Sequence, residues 1–264
     1  MIPPSLLSRR DPTVKLVLVA VLSLLLVAVI DPVTPLLFLV LTIAAGSIAG
    51  RVRTTDLVRS LLPLLVVAAG FAWSNAAFAV PPPGSAVWAL GPLRLSDAGL
   101  RFGLAIGLRG LAIGALSVVF VRTTDPTSLV VSLIQNGRLP FRIGYAFLAG
   151  YRFLPFLGEE LERVRLAQRV RGELSPQGPL ARLRATGRWV LPLLSEAVRR
   201  ASRTAVAMDA RGFGSATERT YRRPTPIRAS DIVFALMSLA VGFALLAAGA
   251  AGGWLRLWDG RFSA

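Results

Sequence analysis

Two arginine–glycine pairs are the residues of this sequence whose type and spacing best suit recognition of a partner. Arg171-Gly172 and Arg211-Gly212 each follow a stretch that begins with Leu-Pro, and the leucine precedes the arginine by 17 residues in the first stretch and by 20 in the second. A guanidinium offers five N–H donors in a planar fork that matches a carboxylate. An arginine followed by glycine is also an ordinary helix ending. Two copies on similar stretches favour the recognition role over that simpler explanation.

The rest of the sequence offers little catalytic chemistry. It contains no His and no Cys, which excludes thiol nucleophiles, imidazole acid–base catalysis and the usual zinc sites. The single lysine, Lys15, is followed by Leu16, so there is no phosphate-binding Gly-Lys-Ser/Thr. Glu159 and Glu160 are adjacent, but consecutive helix residues point about 100° apart, so their carboxylates do not face each other as a catalytic pair would. Arg163, four residues after Glu159, indicates a solvated ladder of opposite charges instead. We therefore predict no enzyme, cofactor or metal site, and any ATP must bind to another polypeptide.

The elements that position these arginines are helices, most of them apolar. The chain has 264 residues, of which 54% are hydrophobic and 17% charged, whereas a soluble domain has about 25% charged residues. The apolar residues form long blocks of about the 20 residues that a membrane-spanning helix needs. The five predicted spans are Lys15–Ile30, Val33–Gly50, Leu61–Val80, Ala98–Val121 and Asp231–Leu255. The first two are short and separated only by Asp31-Pro32, which predicts a tight hairpin.

Loop charges predict the orientation of a multi-pass protein in the cell membrane. The formal net charge is +16, and residues 122–228 hold 19 arginines against 8 acidic residues. The connections predicted on the opposite side contain only Asp31, Arg94 and Asp97 as charged residues. Because positive loops stay in the cytoplasm, we expect the N-terminus and residues 122–228 inside and the C-terminus outside.

Residues 122–228 contain two amphipathic helices rather than a disordered basic tail. Apolar residues recur every three or four positions from Phe153, and again from Leu194 to Met208, with arginines and glutamates between them. Turn residues at 175–179 indicate a loop between the two helices. The fold class is therefore all-α, with about five transmembrane helices and two long amphipathic cytoplasmic helices. The predicted regions are 1–121 (transmembrane helices), 122–228 (the amphipathic pair) and 229–264 (the last transmembrane helix and tail).

These motifs resemble the transmembrane T component (the EcfT/CbiQ-like family) of energy-coupling factor transporters, which are ABC-type importers of vitamins and metals. The paired Val170-Arg171-Gly172 and Ala210-Arg211-Gly212 are similar to the two Ala-Arg-Gly signatures of that family, with valine in place of the first alanine. The other matching motifs are Asp11-Pro12, Lys15-Leu16, Thr123-Thr124-Asp125-Pro126, Leu139-Pro140, Arg152-Phe153-Leu154-Pro155 and Ala167-Gln168. The resemblance extends over essentially the whole chain.

The resemblance implies a division of labour among several chains. The two amphipathic helices would be coupling helices, whose terminal arginines Arg171 and Arg211 dock in grooves of two ABC-type ATPase subunits. ATP-driven closure of the ATPases would then move a small, separate membrane subunit that binds the substrate. The implied docking residues are Val170, Arg171, Gly172, Ala210, Arg211 and Gly212.

Two other classes of protein remain as alternatives. A conventional ABC importer permease would form the substrate path itself, but it typically presents one coupling segment per chain, whereas this sequence has two. A membrane enzyme acting on lipid would need catalytic groups that the sequence lacks. Copurification distinguishes the three classes. Two ATPases with a small membrane protein indicate the T component, ATPases with a homodimer of this chain indicate a permease, and the absence of a partner indicates a membrane enzyme.

The fourth predicted span carries two further candidate features. Gly103, Gly107, Gly110 and Gly114 line one helix face, which allows close approach of another helix from this chain or from the substrate-binding subunit. Arg109 lies near the middle of the same span, where a charge is costly. It is either a functional pivot or a buried structural bond, and the candidate partners are Ser74, Asn75, backbone carbonyls and another subunit.

The basic surface has a membrane interpretation and not a nucleic-acid one. We expect the basic loop around Arg182, Arg184 and Arg188 to contact anionic lipid, where each cation near the surface contributes about 1 kcal/mol. No basic motif interleaved with aromatic residues is present, so binding of nucleic acid is not expected.

Overall fold

Among the residues that the structure describes, the regular elements are helices apart from one short pair of strands. The computed structural model describes residues 5–78, 87–90, 93–170, 178–215, 221 and 224–254. The helices are α1 (Pro12–Val27), α2 (Val33–Ile48), α3 (Thr54–Phe78), α4 (Asp97–Thr123), α5 (Pro126–Gln135), α6 (Phe141–Val170), α7 (Pro179–Ala210) and α8 (Ala229–Ala251). The all-α class is confirmed. Strands β1 (Val87–Leu90) and β2 (Leu93–Ser96), which pair antiparallel between α3 and α4, were not expected.

The apolar helices fall into two length classes. Helices α3, α4 and α8 are long and apolar enough to cross a membrane. Helices α1 and α2 have 16 residues each, about 24 Å at 1.5 Å per residue, against a hydrocarbon core of about 30 Å. The first two predicted spans are therefore apolar helices that are shorter than a full crossing, joined through Asp31-Pro32.

Helix α4 packs against α1, α2 and α3 within one compact unit, formed by residues 5–132 and 225–254 among those described. The core of this unit contains Leu18, Leu22 and Leu26, one residue per turn of α1, together with Phe38 of α2 and residues of α4. Side chains four apart lie on one face of a helix, which is why α1 presents a continuous leucine edge. Residues 133–224 form a second unit, in which α6 and α7 pack together.

Asp11-Pro12 and Asp125-Pro126, two of the three Asp-Pro motifs, each begin a helix. Asp11 Oδ1 accepts hydrogen bonds from the backbone of Thr13 (2.9 Å) and Val14 (3.2 Å), and Pro12 occupies the first helical position, where its missing N–H costs nothing. Asp125 caps α5 in the same way through the Ser128 N–H at 2.8 Å. Burial disfavours the charged form of Asp125, but hydrogen bonds from Thr127 and Ser128 outweigh that effect and lower the pKa of its carboxyl.

The start of α1 is tied to two distant parts of the same unit. The buried Ser132 hydroxyl donates to Asp11 at 2.8 Å, and Lys15 Nζ donates to the Thr123 carbonyl at 3.0 Å. Asp11, Lys15 and Ser132 are all at most 7% exposed, so these bonds are shielded from water and correspondingly strong. Lys15, Asp11 and Thr123 are thereby part of one polar cluster that aligns α1, α4 and α5.

Candidate docking site

Helix α7 ends in a conformation that requires glycine. The Phe213 N–H donates to the Met208 carbonyl at 3.0 Å and the Gly212 N–H to Asp209 at 2.9 Å, and Gly212 has φ +75°. This is a Schellman ending, in which glycine adopts the left-handed conformation without strain. Gly212 therefore has a purely structural explanation.

The side chain of Arg211 is not explained by the helix ending. It is exposed, and it has no hydrogen bond or ion pair within the part of the chain that the structure describes. Ala210, just before it, is exposed as well. The end of α7 therefore presents an exposed guanidinium fork.

Contacts within the second unit show that α6 and α7 run antiparallel. The Arg200 guanidinium lies 4.2 Å from the ring centroid of Phe156, in the middle of α6, and the Phe213 ring lies 5.6 Å from that of Phe141, in its first turn. The C-terminal ends of the two helices, Val170 and Ala210, therefore lie at opposite ends of the hairpin. Helix α6 has 30 residues, so the ends are about 45 Å apart.

Of the first predicted docking segment, Val170-Arg171-Gly172, the structure describes only Val170. Val170 is the last residue of α6 and is 87% exposed. Arg171 and Gly172 lie outside the described residues.

Three of the four predicted glycines bring α4 close to α3 of the same chain. A Cβ on Gly103 would lie 2.7 Å from the Ala72 Cα, and one on Gly107 would lie 2.8 Å from the Ala68 carbonyl oxygen. A Cβ on Gly114 would meet the Leu64 side chain, whereas one on Gly110 would meet nothing within 4 Å. The groove formed by Gly103, Gly107 and Gly114 is thus filled by α3.

Substitution of Gly107 and of Gly110 by alanine should have different effects. The Gly107→Ala methyl group would collide with backbone atoms that cannot move aside, and we expect a loss of about 1–3 kcal/mol in stability. Gly110→Ala on the same helix meets open space and gains helix propensity, so its stability should be unchanged or slightly higher. The thermal unfolding midpoint of each variant in detergent measures this. Equal midpoints would contradict the close packing of α3 and α4.

Arg109 is held by the connection between α1 and α2. Its Nη2 donates to the Val29 carbonyl, and the Asp31 carboxylate is its electrostatic partner. Asp31 is 3% exposed and accepts a hydrogen bond from the Thr34 N–H at 2.7 Å. Of the candidate partners, a backbone carbonyl is present, while Asn75 donates to Phe71 within its own helix.

The sequence pattern predicts Asp31 in an outer loop and therefore does not indicate that this residue lies near Arg109. Lys15 is separated from Val29 by as many residues as Arg109 is from Thr123. Each separation corresponds to about 21 Å along a helix axis. Since Lys15 contacts Thr123, Val29 must lie at the depth of Arg109. The short length of the first two predicted spans does indicate this position. Because both helices are short, the connection between them reaches only the middle of α4.

The CbiQ family model, described as cobalt transport protein, matches residues 4–222, a range that includes both arginine–glycine pairs. The energy-coupling factor transporter transmembrane protein EcfT of Bacillus subtilis is 27% identical over 92% of this chain and 93% of its own length. The EcfT of Exiguobacterium sibiricum is 30% identical over 62% of this chain and 65% of its own length.

A further relative is a much longer protein. It is an ABC transporter ATP-binding protein of Bifidobacterium longum, 29% identical over 88% of this chain, and the similar part makes up 30% of that protein. The chain thus spans less than two thirds of this relative and of the Exiguobacterium protein.

Proposed function

This chain belongs to the family of the CbiQ and EcfT transmembrane transport components, and from that membership we propose that it is the coupling subunit of an energy-coupling factor importer. It transmits the motion of two ABC-type ATPase subunits to a small membrane subunit that binds a vitamin, a vitamin precursor or a metal ion. The chain itself catalyses no reaction. Residues 1–121 and 229–264 form the membrane part, and residues 122–228 form the coupling region.

The observation that carries this proposal is the antiparallel pairing of α6 and α7. It separates the ends of the two helices by about 45 Å. A globular domain of about 250 residues is itself about 45 Å across, so one ATPase domain cannot hold both ends in a single groove. Two neighbouring ATPases, each receiving one arginine, fit this spacing. A permease with one coupling segment would not need the second arginine end.

Two further observations support the partners. The relative from Bifidobacterium longum is named as an ABC transporter ATP-binding protein, which favours the pairing of chains of this kind with ABC-type ATPases. The coupling helices also carry exposed apolar residues, among them Leu154 and Leu166 of α6 and Leu191, Val198 and Val206 of α7. Exposed apolar faces of this extent are typical of interaction surfaces, and we assign them to the substrate-binding subunit and to lipid.

Cysteine labelling tests whether the coupling region is in the cytoplasm, which ATPase docking requires. The chain has no cysteine, so single cysteines can be placed at Gly84, between α3 and α4, and at the exposed Ser215, just beyond α7. In sealed, right-side-out cells a membrane-impermeant thiol reagent should label G84C and leave S215C unmodified. Both should react after permeabilisation. Labelling of S215C in sealed cells would show that the orientation is the reverse of the one proposed and would rule out the coupling function.

A further inference from the structure

Phe213 is the first residue beyond the glycine that ends α7, and it folds back onto α6. Its backbone N–H closes the Schellman ending on Met208 at 3.0 Å. Its ring centroid lies 5.6 Å from that of Phe141 and 5.9 Å from that of Tyr145, with interplanar angles of 70° and 76°. These are edge-to-face contacts, the geometry that aromatic pairs prefer.

The two aromatic contacts of Phe213 anchor the backbone segment that contains Arg211. Arg211 is two residues from Phe213, and the residue between them is Gly212, the least restricted residue type. Without the aromatic contacts this segment would be held less firmly, because it lies at a helix end and helix ends fray. With them, the backbone of Arg211 is anchored both to α7 and to the first turn of α6.

We infer that Phe213 is a positioning residue for Arg211: its packing on Phe141 and Tyr145 holds the guanidinium fork in the orientation that a carboxylate of the ATPase receives. This inference rests on the proposed docking function of Arg211. Phe213 itself need not touch the ATPase. It acts by removing, before binding, the conformational freedom that docking would otherwise have to remove.

A double-mutant cycle on ATPase binding tests the inference. The dissociation constant of the purified ATPase pair is measured for the full-length chain in lipid nanodiscs, as wild type, R211A, F213A and R211A/F213A. We expect R211A to weaken binding by about a hundredfold, as for a truncated charge pair. F213A should weaken it by about tenfold, the equivalent of one or two aromatic contacts. The double variant should bind like R211A, because Phe213 has nothing left to position.

Conservative and matched variants separate positioning from folding. F213Y and F213W keep an aromatic edge and should bind within about twofold of the wild type. F147A removes an exposed phenylalanine of α6 and should also bind normally. A further loss on adding F213A to R211A would show that Phe213 supports the fold or another contact, and would overturn the inference. An R211A variant that binds like the wild type would instead overturn the docking function, whereas normal binding by F213A with weak binding by R211A would overturn the inference alone.

Discussion

The double variant R171A/R211A should lose both its ATPases and its transport activity while remaining inserted in the membrane. In the proposed function, each arginine supplies a charge-assisted fork at the end of one coupling helix, and truncating a paired charge at an interface costs about 2–5 kcal/mol. Loss of one fork should weaken ATPase association, and loss of both should abolish it. Lysine at either position should restore binding only in part, since a point charge cannot form the two parallel bonds.

The measurement is copurification of the ATPases and the substrate-binding subunit with a tagged chain, followed by uptake assays in cells. A matched control exists in the same helices. Arg163 and Arg203 stand eight residues before Arg171 and Arg211, and both are exposed, so R163A/R203A removes the same charge from the same elements. This control should retain the ATPases. Retention of ATPases and uptake by R171A/R211A would rule out docking through these residues.

Breaking the Asp31–Arg109 pair from one side should destabilise the chain more than removing both charges. Asp31 Oδ1 and Arg109 Nε have no hydrogen-bond partner among the described residues, and Arg109 interacts electrostatically with the Asp31 carboxylate. Asp31→Asn keeps an acceptor for the Thr34 N–H but leaves the arginine uncompensated, and Arg109→Met does the reverse. Each should cost about 1–3 kcal/mol, less than breaking a hydrogen-bonded buried pair, because Arg109 is only half-buried and the two charges interact through space.

The double variant D31N/R109M should recover most of that loss, because no uncompensated charge remains. Thermal unfolding in detergent of the four proteins gives the coupling between the two residues. Arg122→Met serves as the control on the same helix, since Arg122 is exposed and donates a hydrogen bond to the Ser60 hydroxyl at 3.2 Å. It should change stability by less than about 1 kcal/mol. Independent, additive losses in the double variant would mean that the two charges do not form a pair.

Much of the helical framework follows from local signals. The predicted fourth span, Ala98–Val121, differs from α4 by at most two residues at either end, because Asp97 and Arg122 bracket an apolar block. The predicted third span began at Leu61, whereas α3 begins at Thr54. The charges of its first two turns lowered the hydropathy, although they do not prevent a helix. The β1–β2 pair had no comparable signal, since each strand has only four residues.

By itself, the sequence determined which residues form many of the helices, where several of them begin, and that Arg211 follows the end of the second amphipathic helix. These are short-range properties, set by apolar periodicity, by Asp-Pro caps and by glycine just past a helix end. Only the tertiary structure decided which surfaces meet. The glycines of α4 could equally have faced another subunit, and Arg109 had no evident acidic partner along its own span. The short α1–α2 connection brings Asp31 to the depth of Arg109, and the antiparallel pairing of α6 and α7 brings Phe213 to Phe141, because helix lengths and register together determine which distant residues lie side by side.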